Sequence, residues 1–135
     1  MEEKGFTLIE LMLVVIIIGV LSAMVVPRLV GRSEQARVAA ARADIEANLS
    51  IALDLFELDN GTYPSSLAGL FTEPSPAPPN WNGPYLKRKP ADPWGEEYKY
   101  KFPGERNKGS YDLWSYGRDR VAGGGDDIAN WEEAE

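Results

Sequence analysis

An apolar segment close to the start of the chain limits what this sequence can fold into. The run from Phe6 to Val26 contains a single charged residue, Glu10, and no proline. Its length of about 20 residues is what a helix needs to cross the hydrocarbon core of a bilayer. It is too long for an ordinary cleaved signal peptide, and no small-residue cleavage site follows it. The sequence therefore predicts a helix that packs against lipid or against other copies of the chain.

The composition excludes several classes of function. The formal net charge of −7 opposes binding to nucleic acid, whose phosphates require clustered Lys and Arg. Cysteine and histidine are both absent, which removes disulfides, thiolate metal sites and histidine acid–base catalysis. A membrane-tethered enzyme would have to rely on carboxylates, and no nucleophilic or basic constellation supports one. The sequence predicts a protein that is not an enzyme.

A second helical pattern follows the apolar segment. Apolar residues recur there at steps of three and four, which predicts one buried stripe: Val38, Ala41, Ile45, Leu49, Ala52 and Phe56. Asn60-Gly61 is a helix stop signal. The sequence therefore predicts one long helix from about Phe6 to Asp59. Gly19 and Pro27 are the positions where a kink or local unwinding costs least.

The remaining residues predict a small head. A Pro- and Gly-rich stretch from Thr62 to Pro93 predicts a loop with a helical turn at Ser66 to Phe71. Glu97 to Phe102 alternates aromatic residues with lysines, and Ser110 to Tyr116 is rich in aromatics, so both predict strands joined in a hairpin. We interpret the aromatic residues as core and not as a carbohydrate or peptide platform; they are Trp81, Tyr85, Trp94, Tyr98, Tyr100, Tyr111, Trp114 and Trp131.

Glu10 is the first candidate functional residue. A carboxylate inside a bilayer costs about 2.5–3.5 kcal/mol and normally has a partner. The apolar segment contains no basic residue, so the candidate partner is a backbone ammonium, which cleavage after Gly5 would create on Phe6 of this or a neighbouring copy. The alternative is that Glu10 lies near the interface and reaches water.

A glycine-rich acidic loop is the second candidate site. Asp119, Asp126 and Asp127 lie between Gly117 and Ile128. Calcium takes six to eight oxygen ligands, from carboxylates and from backbone carbonyls, although the spacing here is not that of an EF-hand. The residues alone leave two interpretations, a calcium site or a flexible acidic surface loop in which neighbouring arginines pair with the acids.

The motifs resemble a known family. Lys4 to Met12 is similar to the leader and cleavage site of type IV prepilins. The rest of the chain resembles the major pseudopilin of type II secretion systems over nearly its whole length, through the motifs Gly61-Thr62-Tyr63-Pro64, Gly83-Pro84-Tyr85-Leu86, Asp92-Pro93-Trp94-Gly95, Gly123-Gly124 and Asp127-Ile128-Ala129-Asn130-Trp131. The alternative is a subunit of a type IV pilus for adhesion or motility. The head motifs and the lack of cysteines favour the pseudopilin.

The resemblance implies an α+β, pilin-like fold, in which a long N-terminal helix packs on a small antiparallel sheet. Residues 1–5 would be a cleaved leader, residues 6–27 the membrane-spanning and polymerising half of the helix, and residues 28–135 the head. A dedicated prepilin peptidase would cut between Gly5 and Phe6 and N-methylate Phe6. The resemblance also implies a calcium ion in the C-terminal loop. We expect the side chains of Asp119, Asp126 and Asp127 as its ligands, with backbone carbonyls near Tyr116 and Val121.

The same resemblance implies partners and a location. The chain would form a homopolymer with minor pseudopilins on an inner-membrane secretion platform, and this short pseudopilus would help to push folded proteins through an outer-membrane channel. It would be a single-pass protein of the bacterial inner membrane, with its N-terminus in the cytoplasm and its head in the periplasm. Arg28 and Arg32, against the acidic Glu2 and Glu3, favour the opposite orientation by charge alone. The resemblance decides this orientation.

Overall fold

The computed structural model describes Met1 and residues 5–132, with residues 27–30 described by their backbone alone. The leader charges at positions 2–4 lie outside the described residues. The chain divides into two compact units, Met1–Ala36 and Arg37–Glu135. Helix α1 spans Leu8–Ala43, a π-helical turn spans Asp44–Asn48, and helix α2 spans Leu49–Asn60.

The first unit consists mainly of an exposed apolar helix. Every side chain from Phe6 to Val26 is exposed, and those of the large apolar residues remain about half accessible or more. Among the described residues, one helix is long and apolar enough to cross a membrane, by its length and composition. A helix with this much accessible apolar surface requires lipid or other protein around it, as the sequence predicts.

The helical irregularity lies at Asp44–Asn48, whereas α1 runs without interruption through Gly19 and Pro27, where a kink was expected to cost least. Within the turn, the Asn48 side-chain amide donates to Asp44 Oδ1 at 2.7 Å, and the Tyr98 hydroxyl donates to Asp44 Oδ2 at 2.8 Å. The Asp44 carboxylate thereby attaches the helix to Tyr98, which directly precedes the first strand.

The spacing of the buried stripe explains why the turn is wide. Ala41, Ile45 and Leu49 are all buried and follow one another at two successive steps of four. On a regular α-helix, two such steps drift by about 80° around the axis. A π turn takes more residues per turn, so it keeps these three side chains on the core side.

The core of the second unit is the predicted stripe packed against aromatic side chains. All predicted stripe residues are buried except Val38, which is partly buried and packs on the core. The core also includes Leu53, with 0% exposure, which the predicted stripe did not include. Trp94, Tyr98 and Tyr111 are buried in the same cluster, so the interpretation of the aromatics as core is confirmed for these residues. Helix α2 ends as predicted, with Gly61 left-handed at φ 77° and its N–H donating to the Glu57 carbonyl.

The sheet is antiparallel and has three short strands, β1 (Lys99–Lys101), β2 (Asp112–Ser115) and β3 (Ile128–Ala129), in that order. The predicted hairpin is present, with Tyr100 opposite Leu113. The predicted helical turn is a 3₁₀ helix at Leu67–Leu70. Strand β3 was not predicted, because two residues carry no alternation, and it forms by pairing with β2. The long helix and small antiparallel sheet expected from the resemblance are confirmed.

The hairpin loop between β1 and β2 is held by one buried carboxylate. The backbone N–H groups of Glu105, Arg106 and Asn107 all donate to Asp112, at 2.7–2.9 Å. Burial by itself would raise the pKa of Asp112, but these hydrogen bonds outweigh it and hold the pKa below its ordinary value. The charged form of Asp112 is therefore part of the fold.

Candidate functional site

The three acids of the glycine-rich loop lie together. The loop begins at Gly117, two residues after the end of β2, and returns to the sheet at Ile128, so both of its ends lie next to strands that pair with each other. Asp119, Asp126 and Asp127 each place one carboxylate oxygen within 4.8 Å of those of the other two. Asp119 is exposed, and the other two are partly buried.

Backbone N–H groups hold one oxygen of each carboxylate. Asp119 Oδ1 accepts from the N–H of Val121 at 2.9 Å, Asp126 Oδ2 accepts from the N–H of Asp119 at 3.0 Å, and Asp127 Oδ2 accepts from the N–H of Gly123 at 2.9 Å. These bonds fix the orientation of the three carboxylates. They also leave the second oxygen of each one for another ligand.

The second oxygens fit a cation. Asp126 Oδ1 and Asp127 Oδ1 are buried and have no hydrogen-bond partner among the described residues, and a buried charged oxygen without a partner costs several kcal/mol. Gly124 lies against the same cluster, because a Cβ built on it would lie 2.7 Å from Asp119 Oδ2 and 3.4 Å from Asp126 Oδ1. The three acids therefore converge on a small space lined by oxygen atoms. This donor set suits a hard cation.

The arginines of the loop do not neutralise the acids. Arg120 points to Trp94, whose carbonyl accepts from Nη2 at 2.7 Å, and to Glu96, whose Oε1 lies 3.8 Å from Nη1. Within the part of the chain that the structure describes, no salt bridge joins Arg118 or Arg120 to the three acids. The alternative of a loop neutralised by its own arginines is therefore not supported. Val121 contacts the acidic cluster through its N–H, which donates to Asp119 Oδ1.

Glu10 has an intrachain role that the sequence interpretation missed. The backbone N–H and the hydroxyl of Thr7 both donate to Glu10 Oε2 at 2.8 Å, and the N–H of Glu10 faces Thr7 Oγ1 at 3.3 Å. This reciprocal arrangement is a capping box, in which a Thr and a Glu three residues later satisfy the free N–H groups at a helix start. The signal was present in the sequence as Thr7-Leu8-Ile9-Glu10. One carboxylate oxygen, Oε1, is outside this arrangement.

The predicted cleavage position is accessible. Gly5 and Phe6 are exposed and precede the first residue of α1, Leu8. Among the residues that the structure describes, a Cβ built on Gly5 would meet nothing within 4 Å, apart from its chain neighbours. Any requirement for glycine here must therefore come from a protein that binds this segment and not from the fold of the chain itself.

Two family models match the chain. Residues 28–131 match the family described as type II secretion system protein G, and residues 1–26 match the prokaryotic N-terminal methylation motif. The type II secretion system core protein G of Pseudomonas aeruginosa is 48% identical over 140 residues, which cover 97% of this chain and 96% of that protein. The protein of the same name from Escherichia coli K12 is 48% identical, with coverage of 96% and 92%.

A solved structure shares the fold. The crystal structure of the major pseudopilin from the type 2 secretion system of enterohaemorrhagic Escherichia coli superposes with a TM-score of 0.65 at 35% identity. The match covers 79% of this chain and 94% of that one. The two chains are therefore similar in sequence as well as in fold.

Proposed function

Because the chain belongs to the type II secretion system protein G family and is a major pseudopilin, we propose that its apolar helix serves in turn as a membrane span and as the inner contact of a filament. The observation that supports this proposal most directly is that every residue from Phe6 to Val26 is exposed. The same apolar surface suits lipid before assembly and the helices of other copies afterwards, since both surroundings exclude water.

We infer the maturation and location from the methylation motif and from the accessible residues before α1. A prepilin peptidase cuts between Gly5 and Phe6 on the cytoplasmic side and methylates the new terminus. The chain then spans the bacterial inner membrane once, with its head in the periplasm. Copies polymerise on the inner-membrane secretion platform together with minor pseudopilins. The resulting pseudopilus helps to drive folded proteins across the outer membrane.

Glu10 has two roles in this proposal. Through Oε2 it caps the helix start with Thr7, which satisfies N–H groups that lipid cannot hydrogen-bond. Through its negative charge it pairs with the ammonium on the mature Phe6 of its own or a neighbouring copy. An unpaired carboxylate at membrane depth costs about 2.5–3.5 kcal/mol, so a neighbouring ammonium favours the assembled state.

Two variants of Glu10 separate the roles. Glu10→Ala removes the cap and the charge, whereas Glu10→Gln keeps an oxygen that accepts from Thr7 and removes only the charge. We expect both variants to insert, to be cleaved after Gly5 and to form few filaments when the secretion genes are co-expressed. Filaments at wild-type yield from Glu10→Gln would refute the charge pairing, and a defect in Glu10→Ala alone would assign the role to the cap.

The acidic loop supports a calcium site in the head. Asp119, Asp126 and Asp127 would hold the ion through their side chains, with backbone carbonyls near Tyr116 and Val121 completing the set. The bound ion would supply positive charge that neutralises three converging carboxylates and thereby orders the loop. Calcium is favoured over magnesium because magnesium demands a tight octahedron and keeps its waters. A ligand that binds only the folded state adds about 2.7 kcal/mol of stability at a hundredfold excess over Kd.

A further inference from the structure

A short turn beside the acidic loop is closed on a buried carboxylate. Asp92 is 5% exposed, and its Oδ1 accepts from the N–H of Trp94 at 3.1 Å and from the N–H of Glu96 at 2.8 Å. The bridge between Ala91 and Glu97 closes the base of this turn. We call residues 92–96 the Asp92 turn. Its buried carboxylate and its backbone bonds make it a rigid element.

The Asp92 turn contacts the start of the acidic loop through a buried hydroxyl. Ser115 is the last residue of β2 and is 1% exposed, and its Oγ donates to Asp92 Oδ2 at 2.6 Å. The same Oγ accepts from the N–H of Gly117 at 3.1 Å. Gly117 in turn lies directly against Asp126, since a Cβ on Gly117 would be 2.2 Å from the Asp126 carbonyl oxygen. The Asp92 carboxylate is thus connected, through two hydrogen bonds and one close contact, to an acid of the cluster.

The Asp92 turn contacts the loop a second time through Arg120. The guanidinium donates to the Trp94 carbonyl at 2.7 Å and lies 3.8 Å from the Glu96 carboxylate. Arg120 is the one non-glycine residue with positive φ among those the structure describes, at 61°. That conformation costs about 1–2 kcal/mol for a residue with a Cβ, so the side-chain contacts must hold it. Asp119 is its immediate neighbour, so the second contact fixes another acid of the cluster.

We propose that the Asp92 turn positions the acidic cluster for its cation, with Ser115 and Arg120 as positioning residues that touch no ion themselves. The inference depends on the proposed calcium site. Without these two contacts, the loop between Gly117 and Asp127 would have to become ordered when the ion binds. This ordering costs about 1–2 kcal/mol of conformational entropy per backbone residue. With them, part of that ordering is complete before the ion arrives, and preorganisation of this kind lowers Kd.

A matched pair of arginine variants tests the inference. Arg120→Gln and Arg118→Gln remove the same charge from the same loop, but Arg118 is exposed and makes no salt bridge in the described chain. Loss of a nearby positive charge should by itself tighten cation binding slightly, by about twofold at most. Positioning predicts the opposite sign for Arg120→Gln, a Kd for calcium raised about five- to tenfold, as expected for one lost hydrogen bond.

The experiment is a calcium titration by calorimetry on the full-length chain in detergent, well below its melting temperature. Ser115→Ala is measured in parallel and should also raise Kd about tenfold. A role in overall stability alone would lower the melting temperature in chelator and leave Kd unchanged. Asp127→Ala tests the site itself and should abolish binding.

The outcomes are distinct. Binding that is lost in Asp127→Ala and weakened in Arg120→Gln, with Arg118→Gln unchanged or tighter, supports positioning by the Asp92 turn. Binding that is lost in Asp127→Ala but equal to wild type in both Arg120→Gln and Ser115→Ala refutes the positioning and leaves the calcium site in place. A wild-type chain that binds no calcium refutes both.

Discussion

Gly124 offers a direct test of the space at the centre of the acidic cluster. Its backbone lies at φ 87°, and so does that of Gly123, with Gly125 at 85°. A Cβ on Gly124 would meet Asp119 Oδ2 at 2.7 Å, whereas no atom of the described chain lies within 4 Å of a Cβ on Gly125. Gly124→Ala and Gly125→Ala therefore cause similar backbone strain, but only the first places a methyl group where a cation would bind.

The expected changes in melting temperature follow from the backbone strain and from the position of the added methyl group. Positive φ costs about 1–2 kcal/mol for alanine, and about 1 kcal/mol shifts the melting temperature of a domain of 60–100 residues by ~4–8 °C. Both variants should therefore melt several degrees below wild type in chelator. Calcium should raise the melting temperature of wild type and Gly125→Ala by a similar amount. In Gly124→Ala most of this increase should be lost, because the methyl group displaces an Asp119 oxygen.

The assay is thermal unfolding of the full-length chain in detergent, followed by tryptophan fluorescence with calcium or chelator. All four tryptophans lie after residue 80, so the signal reports the head and not the apolar N-terminal helix. Magnesium serves as a second control and should raise the melting temperature much less than calcium. Equal calcium shifts in Gly124→Ala and Gly125→Ala would refute the inference that the cation lies against Gly124.

Three further predictions concern processing, packing and pH. Gly5→Leu should block cleavage by co-expressed prepilin peptidase, seen as slower mobility on a gel, and normal processing would contradict the proposed leader. Leu53→Ala should destabilise the head by about 2–5 kcal/mol, because Leu53 is fully buried, whereas the 79% exposed Leu58 should tolerate the same change in a denaturant titration. The lowered pKa of Asp112 means that its stabilisation is complete above about pH 4 and is lost as the pH falls through the lower folded value. Asp112→Asn should therefore reduce the melting temperature at pH 7, and its difference from wild type should shrink as the pH falls below about 4; an equal loss at every pH would refute this.

The sequence by itself determined the features that depend on neighbouring residues. Hydropathy over Phe6 to Val26 identified the membrane-length helix, and the recurrence of apolar residues identified the buried stripe. Asn60-Gly61 marked the end of α2, and alternation marked β1. The N-terminal methylation motif is also local, as is the capping box of Thr7 and Glu10, which could have been found from its spacing. Each of these signals lies within a short stretch of chain, in which the spacing of residues predicts the secondary structure directly.

Only the tertiary structure decided the features that depend on distant residues. The π turn at Asp44–Asn48 keeps the stripe against a core that other elements build, and Tyr98, far along the chain, bonds to it. Strand β3 exists because β2 offers it a partner. The acids near residues 119 and 126 were visible in the sequence, but their convergence, the orphaned oxygens and the connection from Asp92 through Ser115 were not. Those contacts join residues that are brought together only when the chain packs, and no local pattern encodes which distant groups will meet.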